Sequence, residues 1–218
     1  MFRNRSDAGM QLAKELAGYR QTDSVVVAIP RGAVIVGAAI AMKLGLPMEV
    51  LLTKKIGYPG DPEFAIGAVS LTGIVLDKRF DMPKEYLSEQ VERIRALLRE
   101  RQELYHRNID PVSLSGKTVI IVDDGIATGY TMLAAIELAR QEGASKVVVA
   151  VPVAPPDVIA SLSRHADEVI CLSTPHPFSA IGLHYESFPE VTDREVVKLL
   201  QSFNRKQTFN MASVIALL

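Results

Sequence analysis

Short aliphatic runs alternate with longer stretches of helical spacing along most of the chain. Five runs are rich in Val and Ile and short enough to be strands, at residues 24–29, 48–52, 118–122, 146–153 and 168–172. Such runs are typical of strands that are covered on both faces. Helical spacing predicts helices at residues 6–20, 33–44, 132–141, 155–165 and 192–203. We therefore predict an α/β fold, a doubly wound parallel sheet with a Rossmann-like core and helices on both faces.

The section between residues 53 and 110, which we call the insertion, interrupts this alternation. Residues 53–64 are rich in Gly and Pro and are predicted to form a loop. Residues 65–70 and 73–77 are short apolar runs, and we expect them to pair as a hairpin. Residues 84–107 carry an apolar stripe at helical spacing, with charged side chains opposite, and predict a long helix whose outer face is solvated.

One domain accounts for the rest of the pattern. The chain has 218 residues and is 48% hydrophobic, which is enough for one sizeable core but not for two. We assign residues 1–203 to a single domain with the insertion and a small C-terminal segment at 173–190, here called the hood. Thr192 and Glu195 form a capping box that is expected to open the last helix. The pattern assigns no role to the tail, residues 204–218, which ends in an apolar run.

The charge balance and the cysteine content limit the partners and the cellular location that we expect. Lys and Arg number 24 against 25 Asp and Glu, a net charge of −1. This balance does not indicate nucleic acid or a membrane surface as a partner. Neither a signal peptide nor a run of membrane-spanning length is visible. The single cysteine, Cys171, excludes a disulfide within the chain and favours a cytoplasmic location.

The clearest chemical signal is the segment 118–131, with the sequence TVIIVDDGIATGYT. A predicted buried strand ends in two carboxylates, Asp123 and Asp124, and a turn of small and hydroxyl residues leads into a helix. Backbone N–H groups and the positive end of the helix dipole favour an anion at such a turn. The neighbouring carboxylates can accept hydrogen bonds from hydroxyl groups, so a phosphorylated sugar fits both features. The alternative is an ordinary strand-to-helix turn in which the two acids are caps.

This segment resembles the ribose-5-phosphate motif of the type I phosphoribosyltransferases. The resemblance implies an enzyme of nucleotide salvage or synthesis that moves the ribose-5-phosphate of phosphoribosyl pyrophosphate (PRPP) onto a nitrogenous base and releases pyrophosphate. Asp123 and Asp124 would hold the ribose hydroxyls, directly or through the water shell of a metal. Mg²⁺ is the implied cofactor, bound mainly through pyrophosphate and water. The implied ligands of the 5-phosphate are Ala127, Thr128, Gly129, Tyr130 and Thr131.

Pro30-Arg31-Gly32, at the end of the first strand, is a second candidate anion site. Arg31 supplies a fixed charge and Gly32 permits close approach of the backbone. In the resembled family this loop holds pyrophosphate and often has a non-proline cis peptide, here the Pro30–Arg31 bond. Lys54 and Lys55 follow the second strand, and one is expected to reach the same pyrophosphate. The alternatives are a tight turn with a surface arginine and a solvated lysine pair. If the strands before the two anion loops are neighbours, the loops face one cleft.

The hood resembles, in position, the segment that holds the nucleobase in this family. Phe178 and Tyr185 are candidates to stack on a ring, and Ile181 and Gly182 to offer backbone groups. The alternative is local packing under a loop. The mobile loop of the family must fall within the insertion, where the long helix departs from common members, so the residue that closes the site is not assigned.

Two departures bear on the acceptor. Ala127 stands where enzymes for 6-oxopurines typically carry an acid, and Asp123 replaces the Glu of their Glu-Asp pair. Hypoxanthine and guanine are therefore less expected than adenine-type or orotate-type acceptors. The Pro-Arg-Gly turn, the Lys-Lys-Ile-Gly-Tyr-Pro-Gly loop and the long helix together resemble a poorly defined bacterial branch of the family. The resemblance covers residues 3–200, and a homodimer is the usual assembly in the family.

Two other interpretations stay open. The first is a regulator that binds PRPP or a nucleotide without catalysis, although Arg31, Lys54 and Lys55 favour an enzyme and no basic surface for nucleic acid is evident. The second is an α/β module that binds another phosphorylated sugar, with a synthetase-like or hydrolase role.

Overall fold

The structure, a computed structural model, describes residues 1–77, 79–107 and 109–204, so the predicted tail beyond residue 204 lies outside the described residues. Short 3-10 turns lie at Ala17–Tyr19 and Ile181–His184. In chain order the elements are α1 (Arg5–Glu15), β1 (Ser24–Ala28), α2 (Ala33–Leu44), β2 (Met48–Val50), β3 (Thr53–Tyr58), β4 (Asp61–Ser70), β5 (Ile74–Leu76), α3 (Lys84–Tyr105), β6 (Thr118–Val122), α4 (Tyr130–Gln141), β7 (Lys146–Val153), α5 (Pro156–Leu162), β8 (Glu168–Ser173) and α6 (Asp193–Asn204).

A five-stranded parallel sheet in the order β2-β1-β6-β7-β8 forms the centre of the domain, which confirms the predicted fold class. Successive residues of β1 point to opposite faces of this sheet and enter two different apolar clusters. Val26 and Ala28 join the cluster that includes α1, α2 and α6, whereas Val25 and Val27 join the one that includes α4 and α5. Burial on both faces explains why the strands read as unbroken aliphatic runs.

The neighbours β1 and β6 position the site. Ser24 lies opposite Thr118 and Ala28 opposite Val122, so both strands end at the same level. The chain runs from β1 to β2 on one side and from β6 to β7 and β8 on the other, so the strand order reverses at this pair. Ligands of open α/β sheets bind outside the carboxyl ends of strands at such a reversal. The two predicted anion loops therefore open onto one cleft.

The prediction of a loop at residues 53–64 is wrong. β3 and β4 pair there as an antiparallel hairpin, and β5 extends it to a three-stranded sheet. Gly60, with φ of 84°, makes the turn, and a Cβ atom on Gly57 would lie 2.6 Å from the Cα atom of Pro62. The Gly and Pro residues thus serve a turn and a bulge inside a strand pair. The predicted hairpin between β4 and β5 is confirmed, and the sheet contacts both α3 and α4.

The N-termini of two helices differ in how well the sequence predicts them. The pattern places the start of the first helix at Ser6 and Asp7, but its N-cap is Asn4, whose side chain accepts a hydrogen bond from the backbone N–H of Asp7. At α6 the capping box is confirmed: Thr192 N–H donates to Glu195 Oε2 over 2.7 Å, and Glu195 N–H donates to Thr192 Oγ1 over 3.3 Å.

Among the described residues, no helix has both the length and the apolar character needed to cross a membrane.

Candidate active site

Gly32 and Asp124 bring the two predicted anion loops into contact. Gly32 precedes α2 and Asp124 follows β6, and a Cβ atom on Gly32 would lie 2.0 Å from Oδ2 of Asp124. That distance is far below a van der Waals contact, so only glycine fits beside this carboxylate. The Pro30–Arg31 peptide bond is cis, as predicted.

The two motif acids lie in different surroundings. The backbone N–H of Asp124 donates to Oδ1 of Asp123 over 2.8 Å. Burial, followed by the negative charge of Asp124, raises the pKa of the Asp123 carboxyl well above its ordinary value. The Asp124 carboxylate instead accepts a hydrogen bond from Nε of Arg5 over 2.6 Å. The ion pair is partly buried, because the two side chains are 8% and 14% exposed.

Arg5 is a site residue that the sequence motifs do not reveal. Besides Asp124, its guanidinium donates from Nη1 to the Pro189 carbonyl over 2.6 Å and lies 3.6 Å from the centre of the Phe188 ring. One feature of the sequence does indicate a buried role for Arg5. Arg5 stands in line with Ala8 and Leu12 on the buried face of α1, at helical spacing. A charged side chain on an apolar face needs a buried partner.

The predicted phosphate loop lies at the N-terminus of α4. Ala127 and Thr128 are exposed, and Gly129 has φ of 83° immediately before the helix. The first N–H groups of a helix have no partner within it, so this turn can present them to an anion. Thr131 follows in the first turn of the helix. The sequence-predicted phosphate residues therefore form one continuous turn at the carboxyl end of the central strands.

Tyr130 of this turn contacts the insertion. Its hydroxyl donates a hydrogen bond to the Asp77 carboxylate, and it accepts one from Nη2 of Arg79 over 3.1 Å. Arg79 also pairs with Asp77 over 2.6 Å and lowers the pKa of that carboxyl strongly. The hydroxyl of Tyr130 therefore binds Asp77 and Arg79, which follow β5, and the backbone of Tyr130 is the part that can contact a phosphate.

Arg31 lies beside the hood and the start of α6. It forms an ion pair with Glu190, and its Nη1 atom lies 3.8 Å from Oδ2 of Asp193. Asp193 also accepts a hydrogen bond from the Tyr105 hydroxyl at the end of α3. No motif in the sequence identifies Glu190 or Asp193 as partners of Arg31. The cation predicted to hold pyrophosphate is therefore paired with carboxylates of its own chain.

Lys54 and Lys55 lie in strand β3, which corrects their placement in a loop. As consecutive strand residues they point to opposite faces. Partial burial and the positive charges of Arg101 and Arg93 lower the pKa of Lys54, so Lys54 lies on the α3 side of the hairpin. Whether either lysine reaches pyrophosphate stays a prediction.

The hood contacts the motif, but the expected role of Tyr185 is wrong. Tyr185 is 6% exposed, and its hydroxyl donates to the Asp124 carbonyl over 2.6 Å. Its ring packs between Phe2 and Phe188, at centroid distances of 5.4 and 4.8 Å, and burial raises the pKa of its hydroxyl strongly. Tyr185 therefore holds the backbone of the motif at Asp124, and its buried ring is not available to stack on a nucleobase.

The other three hood candidates lie nearer the surface. Phe178 is half-buried and stacks on the imidazole of His184, with ring centres 5.5 Å apart. Ile181 covers Gly125 of the motif, because a Cβ atom there would lie 2.5 Å from Cγ2 of Ile181. Gly182 follows in the same 3-10 turn and lies beside the Phe188 ring. The turn thus lies directly against the segment that carries Asp123 and Asp124.

The chain is similar to known proteins over almost its whole described length. The family model of the phosphoribosyl transferase domain matches residues 3–187. A Mycobacterium tuberculosis H37Rv protein that is provisionally named a phosphoribosyl transferase is 41% identical over 210 residues, which cover 94% of this chain and 47% of that protein. The chain thus spans about half the length of this curated relative. A ribose-phosphate pyrophosphokinase of Pyrococcus furiosus is 43% identical over 75 residues, which are 33% of this chain and 27% of that enzyme.

A solved structure covers nearly the whole fold. The crystal structure of TT1426 from Thermus thermophilus superposes with a TM-score of 0.81 at 42% sequence identity, covering 93% of this chain and 98% of that one. The two chains therefore share their overall fold.

Proposed function

This chain belongs to the phosphoribosyl transferase family, and we propose that it moves the ribose-5-phosphate of PRPP onto a ring nitrogen of a base and releases pyrophosphate. One observation carries the proposal. The turn at the start of α4, the carboxyl of Asp123 and the Pro30–Gly32 loop all lie at the carboxyl ends of the neighbouring strands β1 and β6. A phosphorylated ribose with an anionic leaving group needs these three features side by side.

The chemistry follows from the charges in the transition state. The bond between the anomeric carbon and the pyrophosphate oxygen breaks, and a bond from that carbon to the nitrogen of the base forms. The sugar then resembles an oxocarbenium ion, as in glycoside chemistry, and negative charge grows on pyrophosphate. Asp123 and Asp124 would hold the ribose hydroxyls near this cation, while Arg31 would stabilise the leaving group. The proposed anchors of the 5-phosphate are Ala127, Thr128, Gly129, Thr131 and the backbone of Tyr130.

We propose that Mg²⁺ binds at this site mainly through the pyrophosphate of the substrate and water, and not through protein side chains alone. Among the described residues, no group of three or more His, Cys, Asp or Glu is arranged to hold a metal. Asp123 and Asp124 supply oxygen atoms, which Mg²⁺ prefers, but Asp124 is already paired with Arg5. When bound to the pyrophosphate, Mg²⁺ would offset part of its negative charge.

For the acceptor, we propose a base that needs no acid at position 127. Ala127 is exposed at the phosphate turn, where it provides no proton acceptor. This favours adenine-type or orotate-type acceptors over hypoxanthine and guanine. A homodimer and a cytoplasmic location stay predictions.

The direct test is release of pyrophosphate from PRPP and Mg²⁺ in the presence of single bases. We expect release with at least one base, and loss of release in the Asp123→Asn variant. Release with no base of a panel that covers adenine, orotate, the 6-oxopurines, uracil and nicotinate would count against the proposal.

A regulator that binds PRPP without transfer is the second candidate. The observation in its favour is the pairing of Arg31 with Glu190 and Asp193, which occupies the cation needed by the leaving group. Calorimetry with PRPP separates the two candidates. Tight binding of PRPP without base-dependent release of pyrophosphate would support the regulator, and base-dependent release would exclude it.

A further inference from the structure

We propose that Arg5 is a positioning residue for the ribose end of the site, which fixes the Asp124 carboxylate and connects it to the hood. This inference rests on the proposed function, because it assumes that Asp124 contacts the ribose of PRPP. Arg5 itself is not proposed to touch the reacting atoms.

Three contacts immobilise the Arg5 guanidinium. Its Nε donates to Asp124 and its Nη1 to the Pro189 carbonyl, both over 2.6 Å. The ring of Phe188 covers one face of the planar group at 3.6 Å. Only a flat group with several donors can satisfy all three partners at once, so lysine would keep the charge and lose part of the geometry.

Asp124 is held from the other sides as well. Gly32 lies directly against Oδ2, the oxygen that faces Arg5, and the Tyr185 hydroxyl donates to the backbone carbonyl over 2.6 Å. With Oδ2 enclosed between Arg5 and Gly32, a sugar hydroxyl would meet Asp124 through its other oxygen, Oδ1. Arg5 thereby determines which oxygen of Asp124 is offered to the ribose.

Arg5 also reduces the repulsion between the two adjacent acids. Burial disfavours ionisation of the Asp123 carboxyl most strongly, and the negative charge and side chain of Asp124 disfavour it further. The backbone N–H of Asp124 and the positive charge of Arg5 favour the ionised form. If Arg5 is replaced by an uncharged residue, the Asp123 carboxyl is expected to keep its proton up to a higher pH. A carboxyl that is protonated accepts fewer hydrogen bonds from sugar hydroxyls. The pH dependence of PRPP binding therefore reports on Arg5 in a way that a purely structural role would not.

The same side chain joins the hood to the motif. Pro189 and Phe188 belong to the hood, and Asp124 to the phosphate-ribose segment. Movement of this part of the hood would displace the guanidinium and, with it, the ribose-facing acid. Arg5 therefore couples the side of the cleft expected to receive the base to the side expected to receive the sugar.

The experiment measures PRPP affinity by calorimetry between pH 5 and 9 for wild type, Arg5→Met and Arg5→Lys. Arg20→Met is the matched control, because Arg20 is exposed and donates its hydrogen bond to the Lys43 carbonyl, away from the site. We expect Arg5→Met to weaken PRPP binding at least tenfold at pH 7.5 and to move the acidic loss of affinity to higher pH. Arg5→Lys should restore the pH profile but not the full affinity, and Arg20→Met should match wild type.

The outcomes separate the inference from the proposed function. If wild type does not bind PRPP, the proposed function fails, and this inference fails with it. If wild type binds PRPP and a folded Arg5→Met protein binds it equally well with the same pH profile, only the inference is overturned. Circular dichroism establishes folding of each variant, and if Arg5→Met does not fold, unchanged PRPP affinity in Arg5→Lys overturns the inference instead.

Discussion

Arg31 donates a hydrogen bond to Glu190, an acid that is 78% exposed and lies just before α6. Pyrophosphate and Glu190 therefore compete for one guanidinium. Exposed ion pairs contribute about 0.2–1 kcal/mol, so removing the competitor should tighten PRPP binding by about 1.4- to 5-fold. We expect this gain in Glu190→Gln by calorimetry, with Glu186→Gln, an exposed acid of the hood, as the control. Equal or weaker binding in Glu190→Gln would contradict a role of Arg31 in holding pyrophosphate.

Gly32→Ala should damage the site more than the fold. The added methyl group would meet Oδ2 of Asp124 at 2.0 Å and Nε of Arg5 at 2.9 Å, so the ion pair must move. Overpacking of this kind costs about 1–3 kcal/mol of stability. We expect a loss of that size in urea unfolding and at least a tenfold weaker affinity for PRPP. Gly18→Ala is the control, because a Cβ atom there has no neighbour within 4 Å.

Asp123→Asn should stabilise the protein while it weakens function. Because the folded pKa of Asp123 is raised, the ionised carboxyl destabilises the folded state, and this penalty grows as pH rises through the folded pKa. Asparagine carries no such charge and can still accept the Asp124 N–H bond. At pH 7.5 we expect the free energy of unfolding to increase, and we expect this increase to fade toward acidic pH. PRPP binding should fall, whereas Asp110→Asn, at an exposed carboxyl, should change neither quantity.

The largely buried pair of Glu49 and His106 should make stability depend on pH. Nε2 of His106 lies 2.8 Å from Oε1 of Glu49, and this hydrogen bond raises the pKa of the imidazole. Such a contribution is complete below the unfolded pKa of about 6.5 and is lost as pH rises through the higher folded pKa. Hydrogen bonds to charged groups contribute about 1.5–3 kcal/mol, so the free energy of unfolding should fall by up to this amount.

The measurement is urea unfolding from pH 6 to 9. His106→Gln should be less stable than wild type at pH 6 and should lose this part of the pH dependence. His165→Gln, at an exposed histidine, should follow the wild-type curve. A parallel pH dependence in wild type and His106→Gln would show that another group is responsible.

The sequence predicts the parts of the fold that depend on local pattern. β6 and β7 have the predicted bounds because each aliphatic run is bounded by polar or small residues. The turn before α4 is recognisable because its acids and hydroxyl residues are adjacent in sequence. The hairpin of β3 and β4 escapes prediction because Gly57 and Gly60 are typical of loops as well as of bulges and turns. Pairing of β3 with β4, the next strand in the chain, and packing of the hairpin against α3 and α4 decide between the two structures.

The site partners escape prediction for a related reason. Asp124 can be identified as a functional acid, but Arg5 is 119 positions away and carries no motif. Tyr185 has the composition of a stacking residue, and only its burial and its bond to the Asp124 carbonyl assign it a supporting role. The pairing of Glu190 with Arg31 also could not be predicted, because it depends on the position of α6 relative to the Pro30–Gly32 loop.

The contacts of Arg5 also bear on how the domain assembles. They join residues that are 119 and 184 positions apart, so the guanidinium closes a ring through almost the entire described chain. Contacts of such long range form late in folding, because the intervening chain must first be ordered. During synthesis the first helix leaves the ribosome long before Pro189 exists. The phosphate turn can therefore form early from local sequence, whereas the ribose-facing acid acquires its final orientation only when both ends of the domain have met.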